Sequence, residues 1–145
     1  MIHSLGWERA FMGTALANPG AMEESDAVLP SDLVGCHQLI WSEMIILHQR
    51  GSLGPRALVE ALRSRNILDT IGFEDVDAIG ERYIATLATY RGEEMAEYIN
   101  QVIFASTKRQ LSQTAALIRS EAEDASTPAD EALDNAERRI MGLRR

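Results

Sequence analysis

The chain has 145 residues, 46% of them hydrophobic and 25% charged, with a formal net charge of −8. This is the length and composition of one globular domain, with room for a compact head and an appendage, and it excludes a disordered chain. The acidic balance argues against direct binding to a phosphate backbone, and Lys108 is the only lysine. Cys36 is the only cysteine, so no intrachain disulfide is possible and a reducing compartment is expected. No apolar run approaches the roughly 18 residues of a membrane span. The N-terminus lacks the charged and apolar regions of a signal peptide. A cytoplasmic protein without membrane attachment is the expectation.

Helical periodicity starts at about Gly6 and runs to Ala17, with Trp7, Phe11 and Thr14 on one side and Met12 and Leu16 adjoining. Gly13 sits mid-helix, where glycine costs about 1 kcal/mol relative to alanine. Pro19 disfavours helical geometry at Asn18 and ends the segment. Gly20–Leu29 reads as a short, weak helix closed by Pro30. "CHQLIWSEMIILHQRG" is the strongest core candidate: Leu39, Ile40, Trp41, Met44, Ile45, Ile46 and Leu47 cover more than half the helical circumference. Gly51 suits the left-handed position beyond its end. Pro55 suits the first turn of "PRALVEALRSR", whose Leu58, Ala61 and Leu62 face inward, with Arg56, Arg63 and Arg65 outward. Asn66 falls where a left-handed cap is expected.

Residues 67–80 read as a loop or short turn, and a helix bearing Ile79, Tyr83, Ile84 and Leu87 follows to about Tyr90. No stretch alternates as a half-buried strand does, so the expected fold class is all-α. From Glu93 to about Ala122 there is no glycine or proline. That is enough for a helix of roughly 45 Å at 1.5 Å per residue. Its apolar positions are Met95, Tyr98, Ile99, Val102 and Ile103, then Leu111, Ala115, Ile118 and Ala122. In "TPADEALDNAERRIM", Thr127 is the expected N-cap, Pro128 the first helical residue and Asp130 the capping-box acid. Ala129, Ala132, Leu133, Ala136 and Ile140 make the expected inner stripe. The expected organisation is a helical head over residues 1–92 and a long antiparallel hairpin over 93–145. Two helices cannot bury both seam and flanks alone, so the hairpin needs either the head or another copy of itself, which suggests self-association. The residues expected to carry it are Tyr98, Val102, Leu111, Ala115, Ile118, Leu133 and Ile140, some of which must instead form the internal seam.

Catalytic patterns are absent: there is no GxxxxGK(S/T) phosphate loop, GxGxxG or GxSxG. Cys36, His37 and His48 do not form a familiar metal set, and the expectation is a buried thiol with partly exposed histidines on one helix. Glu23, Glu24 and Asp26 read as a solvated face rather than an acid/base set. No catalytic, cofactor or metal residue is assigned. Four arginines fall in the last eight residues, suited either to a helix C-terminus or to a linker continuing elsewhere.

The order of these segments resembles the N-terminal domain of the DnaB family of replicative DNA helicases, over nearly the whole chain. "ERAFMGTALANP" is similar to the family's AE-x-A-V-L-G-x-L-L-x-(D/N)-P, with Glu8, Ala10, Met12, Gly13, Leu16, Asn18 and Pro19 matching. "LPSDLVGCHQLIWSEMIILHQRG" resembles L-x-x-x-D-F-(F/Y)-x-x-x-H-x-x-I-(F/Y)-x-x-I-x-x-L-x-x-x-G at Asp32, His37, Ile40, Trp41, Met44, Leu47 and Gly51. "LVEALRSRNILDTIG" follows L-x-x-x-L-x-x-x-G-x-L-x-x-x-G, with Asn66 in place of glycine. "YIATLA" and "ALDNAERRI" resemble the segments before the hairpin and at the domain's end. Leu33-Val34 departs from the aromatic pair, and the usual Pro-Val-Asp helix entry is missing near Gly54.

The resemblance implies a collar domain without chemistry of its own or any cofactor, the ATPase motor being a separate RecA-like domain. It implies pairing of hairpins into dimers, a trimer-of-dimers ring, and docking of primase, a helicase loader, or helicase subunits. Gly13 would allow close helix packing. The alternatives are a stand-alone collar protein that binds or regulates a helicase, or an unrelated helical adaptor. A small helical enzyme is a third class, disfavoured because no convergent polar set emerges from the sequence.

Overall fold

The structure, a computed structural model, describes residues 4–143. Arg144 and Arg145, half of the basic C-terminal set, lie outside the described residues. Six α-helices run in the order α1 (Leu5–Ala17), α2 (His37–Gln49), α3 (Pro55–Ser64), α4 (Glu81–Leu87), α5 (Met95–Glu123) and α6 (Ala129–Met141). The chain divides into two compact units, Ser4–Ile103 and the residues from Phe104 onward.

The first unit is built on α1 and α2, which bury Phe11, Met12, Ala15, Ile40, Trp41 and Met44. The rings of Phe11 and Trp41 lie 4.6 Å apart, and the indole N–H of Trp41 donates to Val28 O at 3.0 Å. A large aromatic can be buried here because its one polar atom has a partner. Leu58, Leu62, Ile84 and Leu87 close the core from α3 and α4, joined by Met95, Ile99 and Val102 at the start of α5. Glu43 is buried on α2 and forms an ion pair with Arg65, which is otherwise exposed at the end of α3.

The local signals on either side of α3 act as expected. Gly51 has φ of 71° and Asn66 has φ of 60°, both left-handed, and Pro55 opens α3. Four expectations need correction. The short, weak helix expected over Gly20–Leu29 is a 3-10 helix that covers only Pro19–Ser25. Residues 67–80 do contain turns, and they also contain a strand pair that was not expected. They hold 3-10 turns at Leu68–Thr70 and Glu74–Val76 around a two-residue antiparallel pair, β1 (Gly72–Phe73) and β2 (Ala78–Ile79), with Gly72 opposite Ile79 and Phe73 opposite Ala78. The fold is thus mostly helical with a minimal sheet. α4 ends at Leu87, three residues early. Leu39, on the apolar helix α2, is exposed, so that helix is not covered on all sides.

In the second unit, α5 continues to Glu123 without a break, and α6 returns after a five-residue turn. Asp124 organises the turn by accepting from Ser126 N–H, Ser126 Oγ and Thr127 Oγ1 at 3.0, 2.7 and 3.1 Å. The Thr127 hydroxyl therefore serves the turn rather than the helix. Pro128 takes the N-cap and Ala129 the first helical position, one residue later than expected. Among the described residues, no helix is long and apolar enough to cross a membrane.

Candidate functional site

The core of the first unit contains a chain of polar side chains. Glu8 lies on the inward stripe of α1 with Phe11, Met12 and Ala15, and it is fully buried. A carboxylate in that position needs its lone pairs satisfied. Its Oε1 accepts from Val34 N–H at 2.9 Å and faces His37 Nδ1 at 2.8 Å, while Oε2 accepts from the Ser4 hydroxyl. His37 is also fully buried, with Nε2 at 2.8 Å from the Tyr83 hydroxyl. That hydroxyl accepts from Arg9 Nε at 3.2 Å. The Arg9 fork then donates to both oxygens of Asp75, at 2.8 and 2.7 Å, reaching the turn between β1 and β2.

The charge states follow from these contacts. The hydrogen bonds to Asp75 hold the Arg9 guanidinium protonated well above its ordinary range, and the same bonds hold Asp75 below the usual carboxylate range. Burial pushes the Tyr83 phenol up to about 12. The Phe73 ring packs edge-on to His37 at 4.7 Å, and the Arg9 guanidinium lies 5.6 Å from the centre of the same ring. Cys36 and His37 correct the expectation of a buried thiol beside partly exposed histidines: Cys36 is half-buried against Gly72, and His37 is sealed in. Burial also pushes the Cys36 thiol up. Among the described residues no group of His, Cys, Asp and Glu is placed to hold a metal ion.

A convergent polar set therefore exists, contrary to the reading of the sequence. It is not arranged for catalysis, since Glu8 and His37 have no exposed surface and each partner atom is engaged within the protein. Its geometry joins α1, α2, α4 and the β-turn. The available signal was the acid on the buried stripe of α1. Exposed Glu23, Glu24 and Asp26 do form a solvated face.

Gly13 lies where α1 meets the end of α4. A Cβ at this position would stand 2.5 Å from Leu87 O and 2.9 Å from Tyr90 O. The neighbouring Thr14 Oγ1 accepts from Gly92 N–H at 2.9 Å, holding the same segment.

The hairpin residues separate into classes. Val102 is buried in the core of the first unit, and Tyr98 packs there beside Trp7, with ring centres 6.2 Å apart. From Thr114 to the end of α5 the most covered positions are Thr114, Ile118 and Glu121, and on α6 they are Ala132, Asn135, Ala136 and Arg139. Glu121 ties the two rows together by accepting from Asn135 Nδ2 at 3.1 Å and from Arg139. These bonds hold the Glu121 carboxyl below its ordinary range. Leu133 and Ile140 correct the expected inner stripe of α6: they are 64% and 46% exposed. Ala129 is exposed too, as are Leu111 and Ala115 on α5 and two residues not singled out from sequence, Leu117 and Met141. The covered face of the hairpin thus combines Glu121, Asn135 and Arg139 with Ile118 and two alanines, while several large apolar groups face outward.

No protein-family model matches the chain, and no curated protein matches it. Among solved structures it is similar to the N-terminal domain of DnaB helicase from Mycobacterium tuberculosis, with a TM-score of 0.85 and 20% sequence identity. The match covers 97% of this chain and 96% of that one. At that identity the likeness establishes architecture, and the architecture is the one expected from the sequence motifs: the fold of a DnaB helicase N-terminal domain.

Proposed function

We propose that this chain acts by protein–protein contact, as a collar-type domain that self-associates through its hairpin and offers a docking surface to replication proteins. Residues 1–92 would serve as the head and 93–145 as the hairpin. The observation that carries the reading is the arrangement of the hairpin. Leu111, Leu117, Leu133, Ile140 and Met141 are exposed on α5 and α6, while Glu121, Asn135 and Arg139 occupy the contact between the helices. Exposed large apolar side chains on both helices favour a second apolar surface over water. The likeness to a helicase N-terminal domain supports a second hairpin as the first partner, with helicase subunits, primase or a helicase loader as further ones. A cytoplasmic setting accompanies this reading.

The test is mass in solution by analytical ultracentrifugation, alone and with a DnaB-family hexamer or its primase. A dimer or a multiple of dimers is expected at micromolar concentration. Leu133→Asp should reduce the mass to that of one chain while helicity by circular dichroism stays unchanged. Ile118→Asp, on the covered row, should lower helicity as well. A wild-type chain that remains monomeric and migrates apart from helicase and primase would overturn the proposal.

A further inference from the structure

We propose that the turn region of residues 69–79 is a second docking site, distinct from the hairpin, that receives a basic peptide segment bearing an apolar residue. A cavity of about 350 Å³ lies in this region. Its apolar wall is formed by Phe73, Ala78 and Ile79, and three acids, Asp69, Glu74 and Asp77, line the same cavity. Ile79 is 60% exposed although it sits on the strand pair.

Charge complementarity defines the occupant. Asp69, Glu74 and Asp77 form no ion pair with any described residue. Asp75 differs, because both of its oxygens are taken by Arg9. The buried relay therefore neutralises one acid of the turn and leaves the other three for an external cation. A bare metal ion or polyamine would leave the Ile79 side chain uncovered. An arginine or lysine next to an apolar residue would satisfy both the acids and the wall.

The site is also held in place before binding. Gly80 N–H donates to Ile71 O at 2.7 Å, Asp77 adopts a left-handed conformation at φ 50°, and Arg9 anchors Asp75 from α1. A fixed receptor loses little conformational freedom on association.

The experiment is titration of isotopically labelled protein with the peptide acetyl-Arg-Ile-Arg-amide, followed by amide and isoleucine-methyl NMR shifts, with acetyl-Glu-Ile-Glu-amide as control. Saturable shifts centred on residues 69–79 are expected with the basic peptide alone, weakening as salt is added. The double variant Glu74→Gln/Asp77→Asn should weaken binding about fivefold, from the loss of two exposed charge contacts. Asparagine keeps the left-handed conformation accessible at position 77, so the spectrum outside the turn should be unchanged. Ile79→Ser should weaken binding by a similar factor and retain the salt dependence. Absence of saturable shifts at 69–79, equal shifts with the acidic peptide, or undiminished binding by the double variant would each overturn the proposal.

Discussion

His37 Nδ1 lies 2.8 Å from Glu8 Oε1, joining two fully buried side chains 29 residues apart in sequence. The surrounding donors fix the direction of the bond. Arg9 Nε–H donates to the Tyr83 oxygen, so the Tyr83 O–H is free to donate to His37 Nε2, and His37 Nδ1–H donates to Glu8. A proton on Nε2 would leave the Tyr83 hydroxyl hydrogen without this acceptor. The Nδ1–H tautomer is therefore expected, and side-chain 15N shifts of His37 at neutral pH should show a protonated Nδ1 and an unprotonated Nε2. Protonation of both nitrogens would refute the assigned direction.

Tyr83→Phe removes the central hydroxyl and leaves His37 Nε2 and Arg9 Nε without that partner. Urea unfolding should show a loss of about 1–3 kcal/mol with an unchanged slope. The wild-type hydroxyl has a further signature. Its folded pKa, about 12, exceeds the ordinary value near 10 because burial disfavours the phenolate. Its contribution is complete below about pH 10 and is lost as pH rises through the folded value. Absorbance titration should find one late tyrosine that Tyr83→Phe removes.

Gly13→Ala places two effects in opposition. Helix propensity favours alanine by about 1 kcal/mol. The added Cβ would stand 2.5 Å from the backbone oxygen of Leu87, and overpacking of this kind costs about 1–3 kcal/mol. The clash is with backbone, which cannot swing aside as a flexible side chain does. A net loss of about 1 kcal/mol is expected in denaturant unfolding; a gain would show that α1 and α4 separate without penalty.

Acid should loosen the Arg9–Asp75 bond. The Asp75 carboxyl is held below its ordinary range by Arg9, so its stabilisation is complete above the usual carboxylate pKa of about 4 and is lost as pH falls through the folded value. Glu121, held down by Arg139 and Asn135, and Asp124, held down by the Ser126 amide and hydroxyl, behave in the same direction. Thermal melts of Asp75→Asn should lie below wild type at pH 7 and converge with it near pH 2. A constant difference across that range would remove Asp75 from the acid transition.

Local chemistry was legible in the sequence, and the partners of polar groups were not. Gly51, Pro55 and Asn66 declare their backbone roles because few residues suit those positions, and the long uninterrupted segment before Ala122 could only be helix. The strand pair escaped notice because two residues per strand are too few to show alternation. Thr127 was misplaced by one position because Asp124 captures its hydroxyl. Glu8 and His37 matched letters of two separate family motifs, yet nothing local says that they touch, and Tyr83 enters from 46 residues beyond His37. Leu133 and Ile140 carry an inward-looking period, but which row faces α5 is decided by the bonds of Glu121 to Asn135 and Arg139.

That last arrangement would let one hairpin divide two tasks, holding itself together and meeting the proposed companion. The contacts between α5 and α6 draw on Glu121, Asn135 and Arg139, while Leu133, Ile140 and Met141 contribute little to holding the helices together. Substitutions on the outer row are therefore nearly free of folding constraint. Under the proposed self-association, the outer surface can drift and acquire new specificity while the scaffold beneath it persists.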